Sequence, residues 1–486
     1  MDPFALLEMV ADAAGERRAV GELTCAGLRD RARSVAGGLA ATGATHVAYV
    51  DEYSETVPVL FYAAAAAGLP FVPLNYRLRD DALRACLAGL APAVVVAGER
   101  QRARCADLPG ITVLGPDELP SGPLTSRGPG EVSALLFTSG TSGPPKAAVL
   151  RPAHLTTYVL ETVEFLGAGE DETQLVAVPP YHVAGLSTLL TALFAGRRIV
   201  VLPAFTPQDW VDVVTAESVT HAMVVPTMLG RILDVCAARG ERLLGLRHLS
   251  YGGGRMPLPT VEQALSLLPH VDLVNGYGLT ETSSTITVLG PDDHRAAITS
   301  ADPTVRSRLG SVGRPLPSVE IEIRDADGRA VDAGPVGEVF VRGAQVSGEY
   351  LSHTATDPDG WFPTRDRGRL DADGYLFLDG RADDVIVRGG ENLAPGEIED
   401  ALLRHPAVAA AVVVGMPDDE WGEVPVAAIV PAAPVADVAT LEAELVAHVR
   451  SLLRSARTPT RIVVRSELPH TDTGKVLRRV VRAELS

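Results

Sequence analysis

The segment 136–150, LFTSGTSGPPKAAVL, places hydroxyls, glycines and one ammonium group between two apolar runs. Its polar and glycine positions are Thr138, Ser139, Gly140, Thr141, Ser142, Gly143 and Lys146. Glycine lets backbone N–H groups approach an anion closely, and Thr, Ser and Lys supply further donors. The spacing is not that of a Walker A loop, because two prolines separate the last glycine from the lysine. A Gly/Ser/Pro surface turn has a similar composition. The motifs farther along the chain favour a loop that binds a triphosphate.

Two later segments carry charged groups that suit a bound nucleotide. The run 273–284, LVNGYGLTETSS, contains Glu281. A carboxylate is needed there because a triphosphate reacts as its magnesium complex, and a hard cation takes oxygen ligands. A Thr-Glu pair by itself also fits the start of a helix. The run 361–390 contains an acid, Asp366, and a base, Arg381.

Lysine occurs at two positions only, Lys146 and Lys475, and every other basic residue is arginine. The second lysine lies in the run 468–478, LPHTDTGKVLR. The lysine ammonium is a compact point charge, whereas the arginine guanidinium is planar and donates hydrogen bonds in a fixed geometry, so the two are not interchangeable. We therefore predict that both positions require the ammonium group, although two retained lysines could also be a matter of chance.

Together these motifs resemble those of the adenylate-forming superfamily, which comprises acyl-CoA synthetases, aryl and amino-acid adenylation domains, and firefly luciferase. The phosphate loop of that family reads much like (Y/F)TSGTTGxPKG, and this chain departs from it at Ala147, where glycine is usual. A second departure is Arg365, which stands before Asp366 where glycine is usual. The resemblance covers essentially the whole chain.

The resemblance implies a role for each matched residue. Lys475 would bridge the substrate carboxylate and the α-phosphate, and Thr280 would donate to that phosphate. Glu281 and Thr141 are the implied magnesium ligands, and Asp366 and Arg381 are the residues implied to contact the ribose. The implied ATP- and AMP-binding residues are Thr138, Ser139, Gly140, Thr141, Ser142, Gly143, Lys146, Gly252, Gly253, Gly254, Asn275, Tyr277, Gly278, Asp366 and Arg381. Of these, the glycine run would meet the adenine face, because a ring can stack on backbone only where no Cβ intervenes.

A further set of residues would hold the acid and the thiol. The run 175–190, LVAVPPYHVAGLSTLL, contains His182, which the resemblance places at the wall between acyl pocket and thiol tunnel, although a lone histidine is more often a packed core residue. Amino-acid adenylation domains carry Asp at that position, so an α-amino acid is disfavoured. The predicted acyl-pocket residues are Val183, Ala184, Gly185 and Met223. The loop of Gly389, Gly390 and Glu391 would contact coenzyme A, and Asp383 would be the hinge.

The composition of the chain argues against several other classes of function. The net charge of −18 argues against nucleic acid and anionic membranes as partners. No apolar run is long enough to cross a bilayer, and the first residues lack a basic region followed by an apolar core, so we expect a cytoplasmic protein. The four cysteines form no C-x-x-C pair, so neither zinc nor a disulfide framework is indicated.

The length and pattern predict an α/β fold with more than one domain. The first 130 residues alternate helical segments such as 24–43 with β-rich runs such as 93–97, which is typical of βα units with parallel sheets. The resemblance implies a large domain, 1–382, with parallel-rich sheets and a β-rich subdomain. It also implies a small mobile α+β domain, 383–486.

The predicted reaction is ATP-dependent activation of a carboxylic acid to acyl-AMP, followed by thioester formation with coenzyme A. The small or apolar pocket residues favour a hydrophobic or bulky cyclic acid. Two alternatives stay open: an enzyme that only adenylates and passes the acyl group to a carrier protein or partner, and a nucleotide-binding pseudoenzyme. A monomer or a homodimer is expected.

Overall fold

The computed structural model describes residues 1–126, 130–138, 146–453, 455–471 and 476–486. Within these residues there are four β-sheets. Three are built from strands that end by Arg381, and the fourth begins at Ile386. We refer to the two parts by the predicted ranges, as the large domain (1–382) and the small domain (383–486).

The first sheet has nine strands in the described part of the chain. In spatial order they are β15 (Arg314–Pro315), β14 (Ser284–Leu289), β13 (Asp272–Leu279), β12 (His248–Gly252), β11 (His221–Val224), β9 (Thr173–Val176), β10 (Arg198–Val201), β1 (Arg18–Val20) and β2 (Leu23–Thr24). The run from β13 to β1 is parallel, whereas the outer strands pair antiparallel. The carboxyl ends of β11, β12 and β13 therefore share one edge, which is where open α/β sheets bind ligands.

The second sheet has eight described strands and is parallel through its centre. In spatial order they are β20 (His353–Thr354), β19 (Glu349–Tyr350), β8 (Lys146–Leu150), β7 (Ala134–Thr138), β4 (Phe71–Pro73), β3 (His46–Val50), β5 (Ala93–Ala97) and β6 (Ile111–Leu114). All five residues of β5 are buried. Their continuous apolar sequence is what a parallel strand covered on both faces requires.

A third, antiparallel sheet forms the predicted β-rich subdomain. Its described strands are β17 (Ala330–Val331), β16 (Val319–Arg324), β18 (Gly337–Gly343), β21 (Phe362–Leu370) and β22 (Leu376–Arg381). Asp327 and Gly328 lie in the turn between β16 and β17, with Gly328 at φ 77°.

The helices of the large domain cover the two parallel-rich sheets. Those in the described ranges are α1 (Pro3–Ala14), α2 (Cys25–Ala41), α3 (Thr56–Ala67), α4 (Asp80–Ala88), α5 (Glu99–Cys105), α6 (Pro152–Thr162), α7 (Val183–Ala195), α8 (Pro207–Ala216), α9 (Pro226–Arg239), α10 (Leu258–Leu267), α11 (Pro291–Thr299) and α12 (Pro303–Ser307). One apolar cluster joins Leu60 of α3 and Leu190 of α7 to Leu136 and Val176, which belong to different sheets. Helices therefore lie between the sheets, and the predicted α/β class is confirmed.

The small domain wraps three helices around one sheet. Its described strands are β23 (Ile386–Arg388), β24 (Glu391–Leu393), β25 (Val408–Asp418), β26 (Gly422–Pro431) and β27 (Arg461–Val464), and its helices are α13 (Pro395–Leu403), α14 (Val438–Leu452) and α15 (Arg478–Leu485). Strand β25 contains a continuous apolar run, 408–414, in which Val412, Val413 and Val414 are buried. In the part of the chain that the structure describes, no helix has the length and apolar character needed to cross a membrane.

Two histidines stack at the edge of the first sheet opposite the ligand edge. The rings of His221 and His248, the first residues of β11 and β12, lie 4.5 Å apart. His221 Nε2 also lies 3.5 Å from Glu172 Oε2. Burial, together with the charge of Arg197, lowers the pKa of His221 to about 3. This imidazole is therefore neutral in the folded protein near neutral pH.

Candidate active site

The predicted phosphate loop connects two antiparallel neighbours, β7 and β8. Thr138 and Lys146 are paired across this hairpin, and Thr138 Oγ1 donates to the Lys146 carbonyl at 3.3 Å. The Lys146 side chain is exposed. The strand pairing thus places the hydroxyl and the ammonium side by side at the base of the loop. Five predicted loop residues lie outside the described residues: Ser139, Gly140, Thr141, Ser142 and Gly143.

Glu281, the predicted magnesium ligand, lies in a single 3₁₀ turn, Thr280–Thr282, directly after β13. Its side chain is largely buried, at 9% exposure. The Tyr350 hydroxyl donates to Glu281 Oε1 at 2.5 Å. Burial and this carboxylate both raise the pKa of Tyr350, so the phenol remains a donor. One carboxylate oxygen is therefore held in place by a residue that the sequence did not single out.

Tyr350 also connects this carboxylate to the phosphate hairpin. It pairs with Ala148 of β8 across the β19–β8 contact. Lys146 Nζ lies 5.7 Å from the centroid of the Tyr350 ring. Lys146 lies in the second sheet and Glu281 in the turn that follows β13 of the first sheet. One aromatic side chain thus lies against both, and the structure brings the two predicted groups to one place.

The turn that carries Glu281 is tightly constrained. A Cβ added to Gly278 would lie 1.7 Å from the Ser284 carbonyl oxygen, so only glycine fits there. Ser283 and Ser284 have φ angles of 57° and 104°, in the region that L-residues rarely adopt. The Ser347 backbone N–H donates to the Glu281 carbonyl at 2.8 Å. These contacts fix the backbone from which the carboxylate projects.

Asp366 and Arg381, predicted at the ribose, are directly paired in β21 and β22. Arg381 Nε lies 3.0 Å from Asp366 Oδ1, and the Tyr277 hydroxyl donates to Oδ2 at 2.6 Å. Burial and the Asp366 charge raise the pKa of Tyr277 well above its ordinary value. Asp366 is 7% exposed. The carboxylate is therefore oriented from two sides and joined to the β13 segment that leads to Glu281.

The predicted adenine site lies at the carboxyl ends of β12 and β13. A Cβ on Gly252 would lie 2.3 Å from the Gly276 carbonyl oxygen, which requires glycine at this close approach. Gly253 and Gly254 follow as exposed backbone. Asn275, on the neighbouring strand, donates from its amide to the Ser311 carbonyl at 3.3 Å. Exposed glycine backbone beside an oriented amide can accommodate a planar ring.

The predicted acyl-pocket residues gather at the margin of the large apolar cluster. His182 is the N-cap residue of α7, and Val183, Ala184 and Gly185 form its first turn. Val183, Ala184 and Met223 pack against the same cluster although they come from different elements. A separate open cleft of about 520 Å³ lies elsewhere, between α10, α12 and Arg404 of the small domain, and contains none of these residues.

The predicted hinge and thiol loop begin the small domain. Asp383 lies in the 3₁₀ turn Ala382–Asp384 between β22 and β23. Gly389 and Gly390, with φ of 56° and 82°, form the turn into β24, where Glu391 is the first residue. The Gly389 N–H donates to the Trp421 carbonyl at 2.7 Å, within the small domain. In the described part of the chain this loop makes no hydrogen bond or ion pair with the large domain, and Lys475 lies outside the described residues.

The two domains are joined by an ion pair beside the adenine site. Arg255 lies directly after the glycine run and pairs with Asp400 of α13. Its Nη1 donates to Asp400 Oδ1 at 3.1 Å, and its Nη2 donates to Oδ2. Asp400 also accepts from the Leu258 N–H at 3.3 Å. A Cβ on Gly396 would lie 2.4 Å from Arg255 Nε. The small domain therefore contacts the large one at a point adjacent to predicted nucleotide-binding backbone.

The chain matches two family models in succession. Residues 7–351 match the AMP-binding enzyme model, and residues 397–475 match the AMP-binding enzyme C-terminal domain. Among curated relatives, an indoleacetate–CoA ligase of Aromatoleum aromaticum is 32% identical, covering 95% of this chain and 93% of its own length. A feruloyl-CoA synthase of an Amycolatopsis species is also 32% identical, covering 99% of this chain and 97% of its own.

Solved structures of two other proteins have the same overall fold. The o-succinylbenzoate CoA synthetase of Bacillus subtilis, in complex with an acyl-adenylate intermediate, superposes with a TM-score of 0.85 at 28% identity and covers 99% of this chain and 98% of its own. The same synthetase has been solved with ATP and magnesium. The amide bond synthetase McbA of Marinactinospora thermotolerans has a TM-score of 0.86 at 29% identity, covering 99% of each chain.

Proposed function

The chain belongs to the AMP-binding enzyme family, and from this premise we propose that it converts a hydrophobic or bulky cyclic or aryl carboxylic acid to its acyl-AMP, releases pyrophosphate, and then forms the coenzyme A thioester. The observation that carries the proposal is the convergence of Lys146, Glu281 and the Asp366–Arg381 pair, linked through Tyr350 and Tyr277. The predicted family and the predicted enzyme class, an acid–thiol ligase, are confirmed by the matches. The predicted ATP, magnesium and coenzyme A agree with them.

Activation overcomes the poor leaving group of a carboxylate, whose displacement would expel an oxide dianion. A carboxylate oxygen attacks the α-phosphorus of ATP, and the bond from that phosphorus to the departing pyrophosphate breaks. Because two anions must meet in a protein of net charge −18, cations and backbone donors carry the catalysis. We assign the bridging role to Lys475 and the contact with the departing phosphates to Lys146.

The donor set around Glu281 fits magnesium. With Oε1 held by Tyr350, the second carboxylate oxygen makes no hydrogen bond within the described residues. Magnesium is commonly held by one or two carboxylates together with substrate phosphates, so a single protein carboxylate suffices. When bound, the ion neutralises and orients the triphosphate. Thr141 remains the proposed second ligand.

For the thioester step, we propose that the small domain rotates about Asp383. A hinge is a short segment that absorbs a large change in backbone angles, and Asp383 lies between the sheets of the two domains. Rotation would withdraw Lys475 and present Gly389 to Glu391 to the thiol. The sulfur of coenzyme A then attacks the carbonyl carbon of the adenylate, and AMP leaves.

Two observations support the substrate class. Val183, Ala184 and Met223 provide an apolar margin next to His182, and the two curated relatives are ligases of indoleacetate and ferulate, both aromatic acids. A hydrophobic or aryl acid would bury its ring there. A cytoplasmic location and the monomeric or dimeric state remain predictions.

One finding favours an alternative acceptor for the acyl group, in place of coenzyme A. The similarity to an amide bond synthetase suggests an adenylating enzyme whose acyl group passes to an acceptor other than coenzyme A. This coincides with the predicted alternative in which the chain makes the acyl-adenylate only and a partner receives the acyl group.

The test is pyrophosphate release with ATP, Mg²⁺ and indoleacetate, ferulate, benzoate, acetate or malonate, each with and without coenzyme A, with products identified by mass. We expect aryl acyl-CoA as the main product. Acyl-AMP that accumulates regardless of coenzyme A would replace the proposal with the second candidate. Malonate outperforming every apolar acid would overturn the substrate class.

The role of Lys475 is tested by separating the half-reactions. We expect Lys475→Ala to slow adenylation by about 10²- to 10³-fold, because an oriented charge stabilising the transition state is lost. Transfer from preformed acyl-AMP to coenzyme A should change less than about tenfold. Lys475→Arg, which keeps the charge but not its shape, is the matched control. Equal losses in both half-reactions for Lys475→Ala would contradict the assignment.

A further inference from the structure

Arg365 occupies an unusual backbone conformation. Its φ is 64°, in the left-handed region, and it stands between Thr364 and Asp366, both buried. A non-glycine residue in such a conformation costs about 1–3 kcal/mol, and such residues cluster at functional sites. The side chain itself is exposed. An exposed cation therefore stands on a strained backbone, next in the chain to the carboxylate assigned to the ribose.

The charge of Arg365 acts on a residue of the candidate active site. It reaches the Tyr350 hydroxyl, where Arg365 and Arg381 both act to lower the pKa that burial and Glu281 raise. Tyr350 in turn contacts Glu281 and lies against Lys146. Arg365 thus places positive charge near the residue that joins the magnesium ligand to the phosphate hairpin.

The cation is not committed to a protein anion. Across the residues that the structure describes, Arg365 makes no hydrogen bond or ion pair, whereas Arg381 is bound to Asp366. A solvated surface arginine would gain nothing from a strained backbone, and glycine or asparagine would fit this φ at lower cost. A polyanionic ligand would give the side chain a partner that the folded chain lacks.

We propose that Arg365 is a nucleotide-binding residue whose guanidinium contacts the α-phosphate of ATP and the same phosphate in AMP. This inference rests on the proposed function, since it requires a nucleotide with its ribose at Asp366. Of the three phosphates, the α-phosphate is nearest the ribose, and Asp366 is the adjacent residue in the chain. A planar guanidinium can donate two hydrogen bonds to one phosphate, which a point charge such as Lys146 cannot do in that geometry.

The experiment measures equilibrium binding of adenosine, AMP and ATP by calorimetry, together with the melting temperature, for wild type and Arg365→Gly. Glycine relieves the strained φ, so we expect an unchanged or higher melting temperature. AMP and ATP should each bind about 10- to 100-fold more weakly, the range for losing a charged hydrogen-bonding partner. Adenosine, which lacks the phosphate, should bind as before.

Two further variants make the result specific. Arg369→Gln, on the same strand, makes the same change in net charge, but Arg369 stacks on Phe377 at 4.4 Å and should leave AMP affinity unchanged. Arg365→Asn replaces Arg365→Gly if the glycine variant folds poorly, because asparagine also tolerates positive φ.

Each contrary outcome has a distinct meaning. Equal AMP affinity in wild type and Arg365→Gly would overturn this inference and leave the proposed function intact. Weaker binding of ATP alone would place the cation on the leaving phosphates and overturn the α-phosphate assignment. A wild type that binds neither AMP nor ATP would instead refute the proposed function.

Discussion

The Glu399→Gln substitution would remove the charge of a buried carboxylate on α13, which is paired with Arg478 at the start of α15. Glu399 is 6% exposed, and its Oε1 accepts the Val413 N–H at 2.8 Å. Arg478 donates to both carboxylate oxygens, one at 2.9 Å, and also to the Val413 carbonyl at 2.7 Å. Although burial alone would raise the pKa of Glu399, Arg478 lowers it, so the pair is ionised. Arg478 is only three residues beyond Lys475, so this pair anchors the end of the segment that carries the proposed catalytic lysine.

The expected loss follows from the burial of both partners. Removing one partner of a buried ion pair costs about 3–5 kcal/mol, because the other charge stays buried and unpaired. Arg478 is 23% exposed and its Nε lies 3.8 Å from Asp384, so part of its charge remains compensated. We therefore expect a loss of about 3 kcal/mol in the free energy of opening of the small domain.

A matched control lies on the same helix. Glu397 also pairs with an arginine, Arg457, but the two side chains are 49% and 30% exposed. A surface pair of this kind contributes about 0–1 kcal/mol. Glu397→Gln should therefore change the same opening free energy by less than about 1 kcal/mol.

The assay is hydrogen exchange of the full-length protein, followed by mass spectrometry of peptides from β25 and β26. These central strands of the small domain exchange through its opening, so their protection reports the local free energy. A difference below about 1 kcal/mol between Glu399→Gln and Glu397→Gln would refute the reasoning. The double variant Glu399→Leu with Arg478→Met should recover part of the loss, since neither member of this pair is then left buried without the other.

Two further outcomes are expected. Because the pKa of His221 is lowered to about 3 from about 6.5 in the unfolded chain, the unfolded state binds more protons between these values, and stability falls as the pH falls. His221 should account for a loss of about 3 kcal/mol in the free energy of unfolding between pH 7 and pH 4, measured by urea titration. His221→Gln should reduce this dependence of the unfolding free energy on pH. His353→Gln, which changes an exposed histidine, is the control and should not reduce it. Arg255→Ala should release the interdomain ion pair and so increase tryptic cleavage in the segment 381–390 about threefold or more. Asp400→Asn should have the same effect. If the effects of the two substitutions were additive in the double variant, a direct coupling between these residues would be contradicted.

Local sequence was sufficient for the elements and for the groups that follow one another in a motif. The all-apolar β5 was predictable because continuous burial leaves a continuous apolar sequence. Thr138 and Lys146 could be assigned to one loop because a short hairpin brings its two ends together whatever the rest of the fold. The family resemblance then supplied roles for Glu281 and Asp366, which composition and spacing alone would not have separated from ordinary surface acids.

The partners of those groups were not predictable from the sequence. Tyr350 is 69 residues from Glu281, and no motif marks it. Arg255 and Asp400 are 145 residues apart, and each by itself is an ordinary charged residue. The positive φ of Arg365 likewise leaves no trace beyond a departure from glycine.

The sequence by itself therefore determined which segments are buried, which carry phosphate-binding chemistry, and which family they resemble. Only the tertiary structure decided which distant side chains meet. The physical reason is that hydrophobic periodicity encodes the buried face of one element at a time. The neighbours across that face depend on the order of strands in each sheet and on how the sheets and the small domain pack together, and these are properties of the whole chain.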